Sequence, residues 1–248
     1  MKTLQNQTLL YDEDCPLCRV YTSGFISAGM LDENGKKPYN QLSEKEQIFI
    51  DVKRASNEIA LVDNVNNSVI YGIDSLLKVI GFSFPWMEKV ANIPPIKLFL
   101  RKLYSFILYN RKVIIPSKIK KNIALQCIPD FSFKYRILFL IFATLLSGFL
   151  LYLFDTQLSI LGIIGFQIAL FIVQSLLLFR FSKQITLNYL GNYAVSVLCG
   201  ALLLIPVIGL KSVVAVPKFV CNLFIYSILA VVVFDIFRRV QIIKFNLS

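Results

Sequence analysis

Apolar and polar positions divide this chain into two halves of different kind. In the first half, short apolar runs alternate with polar ones. Residues 9–11, Leu-Leu-Tyr, read as the end of a buried strand. From Leu17 the apolar positions Leu17, Val20, Tyr21, Phe25 and Ala28 fall at helical spacing. Pro16 then occupies the first helical position, where its missing N–H leaves no bond unmade. Residues 32–38 form a charged, turn-rich loop. A helical stretch opens at residues 42–46, where Ser43 and Glu46 have the spacing of a capping box. Residues 58–63 and 68–71 are strand-like, and Asn64-Val65-Asn66-Asn67 joins them as a hairpin loop. Helical spacing resumes at Ile73, Leu76, Leu77 and Ile80. The order is therefore strand, helix, helix, hairpin, helix, with a second strand expected near residues 38–41. Residues 85–111 read as two amphipathic helical pieces broken at Pro94-Pro95. Ile96, Leu98, Phe99, Leu100, Leu103, Phe106, Ile107 and Leu108 include a broad apolar face of the second piece; Lys97, Arg101 and Lys102 mark its polar side.

The second half carries four long apolar stretches, residues 137–154, 158–179, 187–210 and 219–237. Each is near the roughly 20 residues that cross a bilayer as a helix. Polar residues within them are expected to bond between helices: Gln167 with Gln174 on one face, Asn192 with Ser196 on another. Asp235 with Arg238 and Arg239 reads as an ion pair snorkelling to the inner surface. Gly162, Gly165 and Gly200 permit close helix approach, and Pro206 bends the third stretch. Cys199 and Cys221 fall at different depths and read as small apolar fillers. Cys127 has no cysteine nearby in sequence.

Composition sharpens this division. Hydrophobic residues make up 56% of the 248 and charged residues 17%, more apolar than a soluble domain. Of the 15 acids, only Asp155 and Asp235 lie beyond Asp130. The N-terminal residues are polar and the apolar run after them is too short for an export signal. Reduced thiols in a cytosol-like compartment are therefore expected. The net charge of +11 concentrates between Lys89 and Lys134, where Lys97, Arg101, Lys102, Arg111, Lys112, Lys118, Lys120 and Lys121 face a single acid, Asp130. That pattern predicts a surface resting on anionic lipid, each cation adding on the order of 1 kcal/mol. Nucleic acid is disfavoured because the basic run leads into an apolar stretch. Lys134 and Arg136, Arg180 and Lys183, and Arg238, Arg239 and Lys244 bias one side of the four stretches. Both termini are expected on the cytoplasmic side of a multi-pass cell membrane protein.

Candidate chemistry centres on Cys15-Pro16-Leu17-Cys18. A strand running into this motif and then a helix puts the first thiol at the helix N-terminus, where the dipole and unpaired N–H groups favour a thiolate. A second thiol one turn on can release a mixed disulfide. Cys-x-x-Cys is also half of a zinc site. The chain has 0 His, so such a site would recruit Cys127 and a carboxylate, or a second chain. Inert buried cysteines are the third possibility.

Asp12, Cys15 and Cys18 form an Asp-x-x-Cys-x-x-Cys core that resembles the DCC family of thiol-disulfide oxidoreductases. Residues 71–77, Tyr-Gly-Ile-Asp-Ser-Leu-Leu, are similar to that family's Gly-led helix, and Tyr104 through Tyr109-Asn110-Arg111 to its closing signature. Glu13 stands where the family usually has Gly. The resemblance covers residues 8–112 and implies a thioredoxin-like α/β domain, here followed by an all-α membrane domain of four transmembrane helices. Thioredoxin-like proteins usually place a cis-proline before the hairpin, and residues 55–59 offer no proline. The expected organisation is a head over 1–112, a basic juxtamembrane linker over 113–135 and a membrane domain over 136–248. In this reading Cys15 attacks, being nearer the helix end and more exposed, Cys18 resolves, and a buried Asp12 shuttles the proton. The substrate is a thiol or disulfide, and no cofactor is required. The rival is a non-enzymatic four-helix transport or assembly protein whose head keeps a structural, sensing or metal-binding cysteine pair.

Overall fold

The computed structural model describes residues 2–118, 130–155, 159–214 and 216–247. The chain forms two units, Met1–Phe131 and Ser132–Ser248.

The first unit begins with β1 (Gln7–Tyr11), α1 (Pro16–Ser27) and β2 (Lys36–Pro38). β2 lies parallel to β1, with Leu10 opposite Lys37. Two short helices follow, α2 (Glu44–Gln47) and α3 (Val52–Asn57), then the hairpin β3 (Ala60–Asp63) and β4 (Ser68–Tyr71). β3 runs antiparallel to β1, with Leu9 opposite Leu61, and the strand order is β2-β1-β3-β4. Asp63 accepts the N–H groups of Val65 and Asn66 at the hairpin turn, where Asn67 takes a positive φ of 49°. α4 (Ile73–Ser83), α5 (Pro85–Ala91) and α6 (Pro94–Ile114) complete the ordered elements.

Successive strand residues face opposite sides of a sheet, and here both sides are covered. Leu10, Ala60 and Val62 pack on Tyr39, Leu42, Ile50 and Ala55. Leu9 and Leu61 pack on Leu31 and Val79, with Tyr21 and Phe25 of α1, Leu76 of α4 and Tyr104 of α6 around them. The continuous burial of Ala60-Leu61-Val62 follows from this two-sided cover. The second strand differs from expectation. It occupies Lys36–Pro38, inside the predicted loop, while Tyr39–Gln41 is a single 3-10 turn. Tyr39 leaves the strand direction to enter the core, its hydroxyl donating to the Val52 carbonyl at 2.7 Å.

The second unit comprises α7 (Phe133–Phe154), α8 (Ile160–Leu177), α9 (Lys183–Leu203), α10 (Ile205–Val213) and α11 (Lys218–Leu247). Among the described residues, four spans are long and apolar enough to cross a membrane: Phe133–Phe154, Ile160–Leu177, Lys183–Lys211 and Phe219–Asn246. The third is interrupted at Leu204, with Pro206 in the first turn of α10. α9 packs chiefly on α7 and α11. At Gly200 a Cβ would overlap the Val232 side chain, so this glycine does permit close approach; Gly165 meets nothing within 4 Å and Gly162 only its own Ser159. At Gly148 a Cβ would lie 3.0 Å from Ile164 Cγ1, which makes it a second close approach in this unit.

Interhelical polar bonding takes the expected form in part. Ser147 Oγ donates to Gln167 Oε1 at 3.2 Å, joining α7 to α8. Gln174 Oε1 has no hydrogen-bond partner among the described residues. Asp235 accepts from Arg238 and Arg239, each at 2.6 Å, and from Ser196 Oγ at 2.7 Å. Arg239 Nη1 donates to Asn192 Oδ1 at 3.3 Å. Arg239 is buried, so the Asp235–Arg239 pair turns into α9 instead of snorkelling outward. Cys221 packs beside Phe154, Leu204 and Val207; Cys199 is exposed and fills no core. Cys127 lies outside the described residues.

Candidate active site

Asp12, Cys15 and Cys18 come together where β1 feeds α1. Just past the strand, Asp12 Oδ1 accepts the Asp14 N–H at 3.0 Å, and the Cys15 N–H donates to the Asp12 carbonyl at 3.2 Å. This tight turn ends the strand and makes Cys15 the N-cap of α1, with extended backbone at φ −93° and ψ 110° and Pro16 directly after. Cys18 follows one turn in, its carbonyl accepting Thr22 Oγ1–H at 2.8 Å. All three predicted residues are buried: Asp12 is 5% exposed, Cys15 1% and Cys18 2%. Cys15 is therefore not the more exposed thiol.

The charge of the site arrives from the far end of the head. Arg111 on α6, itself buried, places Nη1 at 3.9 Å from Cys18 Sγ. Its Nη2 stands 3.7 Å from Asp12 Oδ2, and Lys112 Nζ stands 3.9 Å from the same oxygen. A hydrogen bond joins the two sulfurs. Donation to Cys18 and burial push the Cys15 thiol up. Cys18 falls to about 6: the bond accepted from Cys15 lowers it, burial opposes, and the Arg111 guanidinium and the Tyr21 hydroxyl add to the lowering. The negative charge thus favours Cys18, where the guanidinium and phenol converge, over the helix-terminal sulfur. Burial raises the Asp12 carboxyl, with Lys112 and Arg111 pulling the other way. Glu13 is turned to Asn40, whose Nδ2 donates to Oε2 at 3.0 Å.

Arg111 and Tyr21 are the residues that sequence reasoning left without a role here. Arg111 belonged to the predicted lipid-facing basic series, and its burial removes it from that surface. A signal existed: Arg111 lies three residues after Leu108 and seven after Tyr104, a cation on the inward face of α6. Tyr104, on that face, accepts the Ile59 N–H at 3.0 Å, and fully buried Asn110 donates to the Phe106 carbonyl at 2.8 Å. Arg136, counted among the flanking cations, is buried too. Lys97 and Arg101 pair with Asp74 at 3.2 and 3.0 Å. Lys89, Lys102 and Lys118 remain exposed, as do the apolar side chains of Trp86, Leu98 and Phe99. Lys120 and Lys121 lie outside the described residues.

A cleft of about 300 Å³ opens between α1, α4 and α6, with Cys18 and Arg111 in its wall. Among the described residues, no three His, Cys, Asp or Glu side chains gather as metal ligands. No protein-family model, curated protein or solved structure matches this chain, and the chemistry of the site rests on its own residues.

Proposed function

We propose that this chain is a membrane-anchored thiol-disulfide oxidoreductase whose working groups are Cys15 and Cys18. One observation carries the reading: the buried Arg111 guanidinium at 3.9 Å from Cys18 Sγ, brought from 93 residues away. Taking a cation out of water is costly, several kcal/mol in proteins; the Asp12 carboxylate at 3.7 Å offsets part of that cost, and an inert thiol pair gains nothing from it. A thiolate does, and the thiolate is the reactive form of cysteine. Asp12, its carboxyl raised by burial, is suited to accept and return a proton as the dithiol opens and closes.

The parallel β1–α1–β2 unit, the antiparallel hairpin and the dithiol at the start of α1 support a thioredoxin-like head, in line with the DCC resemblance. In this reading the four apolar helices anchor the head at a cell membrane with both termini cytoplasmic, where thiols stay reduced. Lys89, Lys102 and Lys118 then meet anionic headgroups, beside the exposed Trp86 and Phe99.

The test uses full-length protein in lipid nanodiscs, equilibrated across glutathione redox buffers, with the pair's state read by alkylation and mass. Two-electron interconversion of Cys15 and Cys18, and loss of disulfide reduction in the Cys15→Ser, Cys18→Ser double variant, are expected. A pair that stays reduced in every buffer, or a double variant as active as wild type, defeats the reading.

A further inference from the structure

The two sulfurs differ in what they face. Cys18 lines the cleft of about 300 Å³ between α1, α4 and α6, and Cys15 does not. That volume falls in the range of small-molecule pockets. Phe25, Leu76, Leu100 and Ile107 are among its apolar lining residues; among the described residues no carboxylate lines it, and Arg111 is the one cation that does. Leu103 and Ile107 also line it and are 40% and 39% exposed, so the cleft reaches the surface through apolar side chains. A disulfide carrying several ammonium and carboxylate groups would lose their hydration here without matching partners.

From this geometry we infer that the cleft receives an apolar, low-molecular-weight disulfide and that Cys18 Sγ is the sulfur that attacks it, an inference that rests on the thiol-disulfide reading. The Cys18 thiolate attacks one sulfur of R–S–S–R′. A Cys18–S–S–R bond forms and R′S⁻ leaves. The Cys15 thiol gives up its proton to the Asp12 carboxylate, which returns it to neutralise R′S⁻. The Cys15 sulfur then attacks Cys18 Sγ, closing the Cys15–Cys18 disulfide and releasing RS⁻, which is protonated by water. Two electrons pass from the dithiol to the substrate disulfide, which is the oxidant.

The experiment is single-turnover oxidation of reduced full-length protein in nanodiscs by dibenzyl disulfide or oxidised glutathione. Each rate is divided by that of dithiothreitol added to nanodiscs of the double Cys→Ser variant, which cancels partition of the probe into lipid. The normalised rate favours dibenzyl disulfide by about tenfold or more, the discrimination of a pocket that buries a few methylenes. Leu103→Asn, at a partly exposed position, reduces that preference. Cys15→Ser accumulates a benzylthiol adduct on Cys18, whereas Cys18→Ser forms none on Cys15. Equal normalised rates overturn the apolar cleft while leaving the oxidoreductase intact. An adduct found on Cys15 and not on Cys18 overturns the assignment of the attacking sulfur. Failure of both probes to oxidise the pair defeats the thiol-disulfide reading itself.

Discussion

Arg111 Nη1 lies 3.9 Å from Cys18 Sγ across 93 residues of chain. The contact joins the last helix of the head to the first and adds to the lowering of the Cys18 thiol that the hydrogen bond from Cys15 begins. Arg111→Met removes one of the influences holding Cys18 at about 6. The alkylation rate of Cys18 in full-length protein rises as pH rises through its folded value, because only the thiolate reacts. In wild type that rise is centred near pH 6; in Arg111→Met it moves to higher pH, by about one unit. An unchanged profile would show that the guanidinium does not tune the thiol.

Asp12→Asn works in the opposite direction. The Asp12 carboxylate raises the Cys18 value, so neutralising it shifts the alkylation profile to lower pH. The same change removes the proposed proton acceptor, and closure of the Cys15–Cys18 disulfide slows after the first attack. Stopped-flow mixing with a chromogenic disulfide separates the two steps. A variant that closes the disulfide as fast as wild type would take the proton-shuttling role from Asp12.

The capping box at α2 gives a prediction tied to pH. Ser43 Oγ accepts the Glu46 N–H at 3.4 Å, and Glu46 Oε2 accepts the Ser43 N–H at 2.8 Å. Burial raises the Glu46 carboxyl, but the bonds from Lys37 and Ser43 together bring it below its ordinary value of 4.5. A carboxyl depressed in the folded state adds stability that is present above 4.5 and lost as pH falls through the folded value. Amide exchange in residues 44–47 accelerates over that window, and Ser43→Ala accelerates it at neutral pH, a loss of about 1 kcal/mol.

In the membrane unit, Asp235→Asn takes the carboxylate from buried Arg239 and destabilises the helices by about 3–5 kcal/mol. Thermal unfolding in detergent reads the loss. Replacing both members with apolar side chains, Asp235→Leu with Arg239→Met, recovers most of it, since neither charge then remains in the interior. A double variant as unstable as the single one would show that Ser196 and Asn192 need their ionic partners.

Gly72 stands before α4 at φ +69°, and a Cβ there would lie 2.8 Å from Glu58 Oε2. Gly72→Ala forces a left-handed backbone on an L residue and costs about 1–2 kcal/mol. Glu58→Ala in the same chain clears the side chain and leaves the backbone cost. Denaturant midpoints of the two variants therefore lie together.

The local pattern determined a good deal of this protein by itself. Pro16 after Cys15, helical spacing from Leu17 and the Ser43–Glu46 box are interactions within a few residues, which propensity and capping govern. The apolar runs likewise declared four membrane-length helices, because a bilayer sets their length and excludes charge. The Asp-x-x-Cys-x-x-Cys core named three residues that lie together where β1 feeds α1. Tertiary structure decided what that site can do. Arg111 reads as one more surface cation until α6 folds its inward face against α1, and only then does the charge settle on Cys18. Asp235 and Arg239 read as a pair reaching for water until α9 supplies Ser196 and Asn192. In both cases the deciding contact spans tens of residues, and burial strengthens it by removing the water that would otherwise screen it.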